Sequence, residues 1–397
     1  MKIAILLPED IAFDTIGRAA KLASLLTSLK CSGGKSVEVV VALPVGDENL
    51  WRRREGEIRS LAPSVVVRHL SWERVESAMA LRMYPHVQAD LDGIAEVSLP
   101  RDWGWNFIDC DAWLIFADAA LGAVLPVRPV GYYLRDLAVR YVPSAFASGI
   151  HAPYWQRQTD AFRLWRQSRV VFAASVATLN DAASYAGIRR DRLLKVPPLM
   201  ASGPNGERRP RRGPLSLLWL VEPDARHDLT NALEGLRLFK AEGGQADIVV
   251  AGARRLDSDD TSSALAEIAA ASQNVMGNIS HETIQTDEDL RRLLRRIDMI
   301  WSSAIADGEN EGLLRASAAG LPFIGNLYPQ NEALVDRLGI RAFLHQDRRP
   351  AAIADELHRA CADIQSAPAR RGEANSLEPL PEEWLPVLDR VGRRYDL

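Results

Sequence analysis

Cysteine is scarce in this chain: three among 397 residues, Cys31, Cys110 and Cys361, far apart and without metal-like spacing. That excludes a disulfide framework and suits a reducing compartment. Long apolar runs are missing too. Nowhere do 18 apolar residues stand together, so no membrane-spanning helix is expected. A net charge of −4 provides no global basic field, which argues against nucleic acid as a partner. A signal peptide is also absent from the reading. The opening MKIAILLPED meets Pro8 and two acids too soon, and reads as a first buried strand. What these absences leave is a cytoplasmic globular protein. Its length exceeds one ordinary core, so two domains are expected.

Two series of short apolar runs alternate with helical periodicity. The first series predicts strands at Lys2–Leu7, Val37–Leu43, Val65–Leu70, Ala112–Phe116, Val130–Leu134, Arg169–Ala174 and Leu194–Val196, with helices at Ile16–Leu29 and Ser175–Ala186. Continuous apolar strands separated by helices indicate a parallel sheet covered on both faces. Eight prolines and glycines then crowd residues 197–214, together with Arg208, Arg209, Arg211 and Arg212. No regular element survives that density of breakers, so this stretch reads as a linker.

The pattern restarts with a strand at Leu215–Val221 and a helix at His227–Glu242. Further strands are predicted at Asp247–Ala251, Val275–Ile279, Met299–Ser302, Pro322–Gly325 and Ala342–Leu344. Helices are predicted at Asp260–Ser272, Asp287–Arg296, Glu311–Ala319, Asn331–Leu338, Ala351–Ile364 and Pro381–Tyr395. The domain plan is therefore 1–198, a linker over 199–214, 215–378, and a terminal helix over 379–397 packing back on the first domain. Ligand is expected where strand carboxyl ends face each other.

From the restart onward the residues resemble the nucleotide-binding half of retaining glycosyltransferases of family 4. The resemblance is carried by LSLLWLVEPDARHDLTNALEGLRLFK, DIVVAG, NVMGNIS and IDMIWSSAIADGENEGLLRASAAGLPFIGN. In the first half, SRVVFAASVATLNDAASYAGIRRDRLLKVPP resembles the segment that leads out of the acceptor domain. The resemblance covers residues 165–330 well and the first 160 only by pattern. It implies the GT-B fold, an α/β class with two doubly wound Rossmann-like domains facing each other across a cleft. It also implies a retaining, metal-independent hexosyltransferase. No Asp-x-Asp triplet stands at a strand end where a metal-dependent transferase would hold its cation. No cofactor is implied, since the nucleotide diphosphate-sugar is a substrate.

The family's hallmark is a pair of glutamates separated by seven residues. Anchored on Gly320-Leu321-Pro322, it places Asp307 at the first and Arg315 at the second. A carboxylate there accepts the ribose hydroxyls, and arginine has no acceptor. Glu309 and Glu311, in the same loop, can take that duty. Shortening the loop by two residues makes Glu309 the first glutamate and Ser317 the second. The family's Arg and Lys for the leaving diphosphate fall on Leu220 and Ala225. Arg226, one place on, and Arg254, just past Gly252, are the substitutes. The expected catalytic set is Asp307, Glu309 and Arg226. The donor set adds Glu222, Gly252, Arg254, Gly308, Asn310, Glu311, Gly312, Leu313 and Arg315.

Each candidate has a plainer alternative. Gly308 and Gly312 either let backbone amides approach a phosphate or simply bracket a tight turn. Arg226 is either a diphosphate clamp or an exposed first-turn residue, and His227 reads as a cap or surface residue. On the acceptor side, Asp14 and Gly17 follow the first strand, though Asp14 also suits a helix cap. Arg135 and Asp136 either face the cleft or form an ion pair. His151 lies in a loop with aromatic company, and Trp103 and Trp105 are either stacking platforms or core.

The expected function is transfer of a sugar from a nucleotide diphosphate-sugar donor to a glycan or lipid-linked acceptor in bacterial surface polysaccharide assembly. The altered hallmark admits two other readings: a non-catalytic scaffold, or a nucleotide-sugar epimerase on the same fold, for which His151 and His281 are the loose candidates. The arginine runs 52–54 and 208–212 read either as solvated faces or as peripheral contacts with the inner membrane face.

Overall fold

A computed structural model describes residues 1–8, 13–30, 34, 36–46, 48–117, 122–143, 154–199, 213–221, 227–253, 279–284, 287–306, 309–366 and 380–392. The chain divides into two compact units. One comprises Met1–Leu199 with Glu378–Leu397, the other Met200–Leu377.

In the first unit seven parallel strands form one sheet: β1 (Lys2–Leu6), β2 (Glu38–Pro44), β3 (Val66–Leu70), β6 (Ala112–Ala117), β7 (Val130–Leu134), β8 (Val170–Ala173) and β9 (Leu193–Lys195). Their order is β3-β2-β1-β6-β7-β8-β9. The runs are apolar at nearly every position because both faces are covered. Ala4 and Leu6 of β1 enter one core, while Ile3 and Ile5 enter the other. The second core includes Trp384, which ends the 3-10 turn Pro381–Trp384, and Val387, Leu388 and Val391 from the C-terminal helix Leu385–Gly392. Gly131 of β7 makes room for that helix. A Cβ there would stand 3.0 Å from Val391, and as close to Leu114 and Val170.

A two-stranded antiparallel ribbon, β4 (Trp72–Glu76) and β5 (Glu96–Pro100), is inserted between β3 and β6. The periodicity of the sequence did not announce it, nor the helices Glu48–Leu61, Ser77–Met83 and Tyr154–Gln167. In Glu48–Leu61 only Leu50 and Ile58 are buried, too few for an apolar stripe. Arg52 and Arg59 pair with Glu48 and Glu55 one turn back, so the arginine run is partly balanced within its own helix.

The second unit holds six parallel strands: β10 (Leu215–Val221), β11 (Ala246–Ala253), β12 (Ile279–Ile284), β13 (Met299–Ser302), β14 (Phe323–Asn326) and β15 (Ala342–His345). Their order is β12-β11-β10-β13-β14-β15. This is the doubly wound arrangement, with the switch point between β10 and β13. Helices Leu229–Ala241 and Pro350–Ser366 cover one face, where Trp219 and Trp301 stack at 4.6 Å between ring centres. β12 includes Ile279, the last residue of the predicted strand Val275–Ile279, and residues 275–278 lie outside the described residues. It lies at the sheet's edge, where a polar run, ISHETI, is tolerated, and its register pairs Ile248 with Ile279. The predicted helix Asp260–Ser272 lies outside the described residues. Among the described residues no helix is long and apolar enough to cross a membrane.

Candidate functional site

In a doubly wound sheet the crevice beyond the strand carboxyl ends, at the switch point, is where ligands bind. In the second unit that place is built from the segments after β10, β13 and β14. After β10 the chain returns at His227, which bridges to Ala304 beyond β13. The Asp228 amide donates to the Ser303 carbonyl at 3.1 Å. Ser303 Oγ accepts from the Trp219 indole N–H at 3.2 Å and lies 3.4 Å from His227 Nδ1. Asp228 then caps the helix Leu229–Ala241 by accepting from the Asn231 amide. His227 is thus the bridging residue just outside that helix.

After β13 the chain turns through Glu309 and Asn310 into the helix Glu311–Ala319. Both are 1% exposed, unusual for a carboxylate at a loop. Asn310 is the N-cap, its Oδ1 accepting from the Leu313 amide at 3.0 Å. Gly312 lies inside the first helical turn rather than in the turn before it. A Cβ there would stand 3.3 Å from Phe323 and 3.5 Å from Ile300, so its duty is close helix–sheet packing. One turn on, Arg315 Nε donates to Glu311 Oε1. Arg315 is itself buried, so this pair sits largely out of water.

A chain of amides joins the neighbouring strand. Asn326 at the end of β14 donates from Nδ2 to the Ala304 carbonyl at 2.7 Å, and Asn331 Nδ2 donates to the Asn326 carbonyl at 3.0 Å. Both residues are buried, as is Asn310. Yet Asn310 Nδ2, Asn326 Oδ1 and Asn331 Oδ1 find no hydrogen-bond partner among the described residues. A buried polar group left unmade costs about 1–3 kcal/mol, so three at one sheet edge call for an explanation. Beside them stands His345, which ends β15 opposite Asn326. Burial lowers its pKa, against the opposing pull of the Asp347 carbonyl and the charges of Glu356 and Asp347.

At the corresponding edge of the first unit, Arg135 and Asp136 follow β7. Asp136 Oδ1 accepts from the Ala138 amide at 2.9 Å, just before the turn Ala138–Arg140. Gly17 lies within the helix Phe13–Thr27, with Glu57 Oε1 3.9 Å from the place of a Cβ. Asp14 lies in that helix's first turn. Trp105 is exposed, whereas Trp103 packs on the core with φ at +60°.

Of the expected donor residues, Glu309, Asn310, Glu311, Gly312, Leu313 and Arg315 come together after β13. Gly252 sits at the carboxyl end of β11, paired in register with Val221. Asp307, Gly308, Glu222, Arg226, Arg254 and His151 lie outside the described residues. Sequence reasoning missed Ser303, Asn326, Asn331 and His345. A faint signal existed for the asparagines, polar residues immediately after an apolar strand, at the position where this fold gathers ligand contacts.

No protein-family profile matches the sequence, and no curated protein is similar to it. Solved structures are similar over nearly the whole chain. One is HepE of Anabaena in complex with UDP and glucose, 12% identical, with a TM-score of 0.62 over 97% of this chain and 95% of that one. Another is WaaG, a glycosyltransferase involved in lipopolysaccharide biosynthesis, 14% identical, with a TM-score of 0.59 over 97% and 99%. A third is UDP-GlcNAc 2-epimerase of Neisseria meningitidis bound to UDP-GlcNAc, 11% identical, with a TM-score of 0.53 over 98% and 99%. Likeness at such identity establishes the fold: this chain has the GT-B fold, with two Rossmann-like units.

Proposed function

We propose that the protein is a glycosyltransferase that takes a nucleotide diphosphate-sugar as donor and delivers the sugar to a glycan or lipid-linked acceptor. The observation that carries this reading is the group of buried amides, each with one atom left without a partner among the described residues, at the carboxyl edge of the second sheet, beside a helix that begins there. A donor nucleotide supplies hydroxyls and phosphate oxygens to such groups, and the first amides of Glu311–Ala319 suit a diphosphate. In the transfer, the bond from the anomeric carbon to the diphosphate breaks as the acceptor hydroxyl oxygen bonds to that carbon, and the hydroxyl proton passes to the leaving diphosphate. Negative charge grows on the leaving diphosphate, and Arg226 with the helix N-terminus would meet it. Retention of configuration, independence of metal and an acceptor at the inner membrane face extend this reading through the resemblance to family 4.

The Glu311–Arg315 pair bears on the altered hallmark. Position 315 offers no acceptor, and Glu309, buried beside the helix start, is the carboxylate proposed for the ribose. The test is thermal unfolding with UDP, GDP, ADP, CMP and dTDP, on wild type, Arg226→Ala and Glu309→Gln. One diphosphate at about a hundred times its dissociation constant should add about 2.7 kcal/mol, and both variants should lose that shift. If no nucleotide shifts the wild type, the non-catalytic scaffold replaces this reading. An epimerase is the second reading, favoured by the fold's likeness to the Neisseria enzyme. Interconversion of UDP-GlcNAc without any acceptor, followed by proton NMR, decides for it.

A further inference from the structure

Among the described residues, Trp105 is the most exposed large apolar side chain, at 66%. The backbone puts it there. Trp103 has φ at +60°, in the left-handed region that a bulky side chain rarely adopts. Gly104 follows at +79°, where a Cβ would stand 3.1 Å from Trp113. This turn packs Trp103 on the core and leaves Trp105 in solvent. Side chains hold it in place. Asp102 accepts from the Gly104 amide at 3.1 Å and from the Asn106 amide at 2.7 Å. Asn106 Nδ2 donates to the His69 carbonyl at 2.9 Å, and the Tyr84 hydroxyl donates to the Trp103 carbonyl. A strained loop held this firmly, with an exposed ring at its tip, calls for a duty outside the core.

The Tyr84 contact sets the end of the helix Ser77–Met83 beside this loop. Met79 and Met83 stand one turn apart on that helix, 50% and 51% exposed, with Arg82 exposed next to them. Between Glu76 and Asp90 the chain carries no acid. Over residues 101–108 it carries only Asp102, whose carboxylate holds the two amides. Arg82 and Arg101 are exposed, and neither enters an ion pair among the described residues. Arg128, whose charge reaches Tyr84, donates to the Ile108 carbonyl and adds a third cation. Asp109, the next acid, lies between Arg68 and Lys2. The surface is thus apolar and basic at once. It borders the carboxyl edge of the first sheet: the Arg101 amide donates to the Ser71 carbonyl at 2.7 Å, and the indole of neighbouring Trp72 donates to the Leu7 carbonyl at 2.8 Å, just past β1.

We propose that this surface docks on a lipid bilayer with anionic headgroups, with Trp105, Met79 and Met83 entering the interface and Arg82 and Arg101 meeting headgroup phosphates. An indole suits that depth, flexible methionines fit disordered acyl chains, and cations are drawn to the surface charge. A sugar platform would need polar side chains free around the ring, whereas Asp102 and Asn106 are committed to holding the loop. The arginine run 52–54 is a different surface, where Arg52 already pairs with Glu48. Docking on lipid does not rest on the transferase reading; that the bilayer carries the acceptor does.

The experiment is flotation of the full chain with two kinds of vesicle, phosphatidylcholine alone and phosphatidylcholine with an equal amount of phosphatidylglycerol. UDP is titrated separately, and size-exclusion chromatography gives the oligomeric state. The chain should bind the mixed vesicles about tenfold or more tightly than the neutral ones, and added salt should weaken that binding. Trp105→Ala should weaken it about tenfold with an unchanged melting temperature, because the ring is exposed. Met83→Gln should act in the same direction by a smaller factor. Arg82→Gln and Arg101→Gln should each cost about fivefold, on the mixed vesicles only. Equal binding to both kinds of vesicle overturns the proposal, and so does a folded Trp105→Ala protein that binds normally. A concentration-dependent dimer that Trp105→Ala dissolves also overturns it, and gives the surface to a second copy of the chain. Absent UDP binding with intact, Trp105-dependent vesicle binding contradicts the transferase reading and supports the docking surface.

Discussion

The two sheets are wound alike, yet their carboxyl edges carry different chemistry. At the second sheet, Glu309, Asn310, Arg315, Asn326 and Asn331 are polar and almost wholly buried, fixed by an N-cap, an ion pair and amide-to-carbonyl bonds. Beside the first sheet's edge, Arg82, Arg101 and Trp105 are exposed, on a short helix and a strained loop. Burying polar groups is costly, and fixes them in place. Such an edge suits a ligand whose form never varies, as the nucleotide part of a donor would. Exposed long side chains cost little and adjust, which suits a partner recognised by charge rather than by shape.

The comparison can be sharpened by perturbing one unit at a time. The largest effect is expected for Trp384→Ala, whose ring is fully buried among Tyr133 and Phe172 in the first unit. It should cost about 4 kcal/mol and lower only that unit's transition in calorimetry. Equal lowering of both transitions would show that the units do not unfold independently. Next, Glu311→Gln leaves Arg315 buried without its carboxylate, and should destabilise the second unit by about 3 kcal/mol in urea unfolding. Asn310→Ala removes a helix cap from the same place. It should cost about 1 kcal/mol, with a larger loss in nucleotide affinity if the helix start meets the ligand. A cost without any change in affinity would separate the cap from the site.

The smallest effect concerns acid. Burial lowers the pKa of His345 in the second unit, so the unfolded chain binds its proton first, and stability falls as pH drops below about 6.5. In the first unit, hydrogen bonds from Arg68 and Lys2 hold Asp109 well below the usual carboxylate range. Its contribution is complete above about pH 4 and is lost as pH falls further. The second unit should thus begin to soften at milder acidity, and His345→Gln should remove that early loss in a pH series of melting curves. An unchanged series would place the acid sensitivity elsewhere.

Central strands were legible because both faces are covered: β7, β10 and β13 match their predicted bounds residue for residue. The helix Glu311–Ala319 does too, announced by acids before an alanine-rich run. The ribbon was not legible, since WERVE and EVSLP are short, WERVE is mostly charged, and they are held by pairing with each other and by tertiary contacts such as those with Leu7 and Val124. At the site, residues 309–315 were found through a family resemblance in local sequence. Ser303, Asn326 and Asn331 were not, because their meaning comes from lying on neighbouring strand ends, and adjacency of strands is a property of the fold.

The central claim is that the carboxyl edge of the second sheet holds a nucleotide diphosphate. Amide hydrogen exchange with and without UDP tests it most directly. The account requires added protection at residues 303–313 and 326–331, with the ribbon over 72–100 unchanged. Binding of UDP without protection at 303–313, or with protection confined to the first unit, would contradict it.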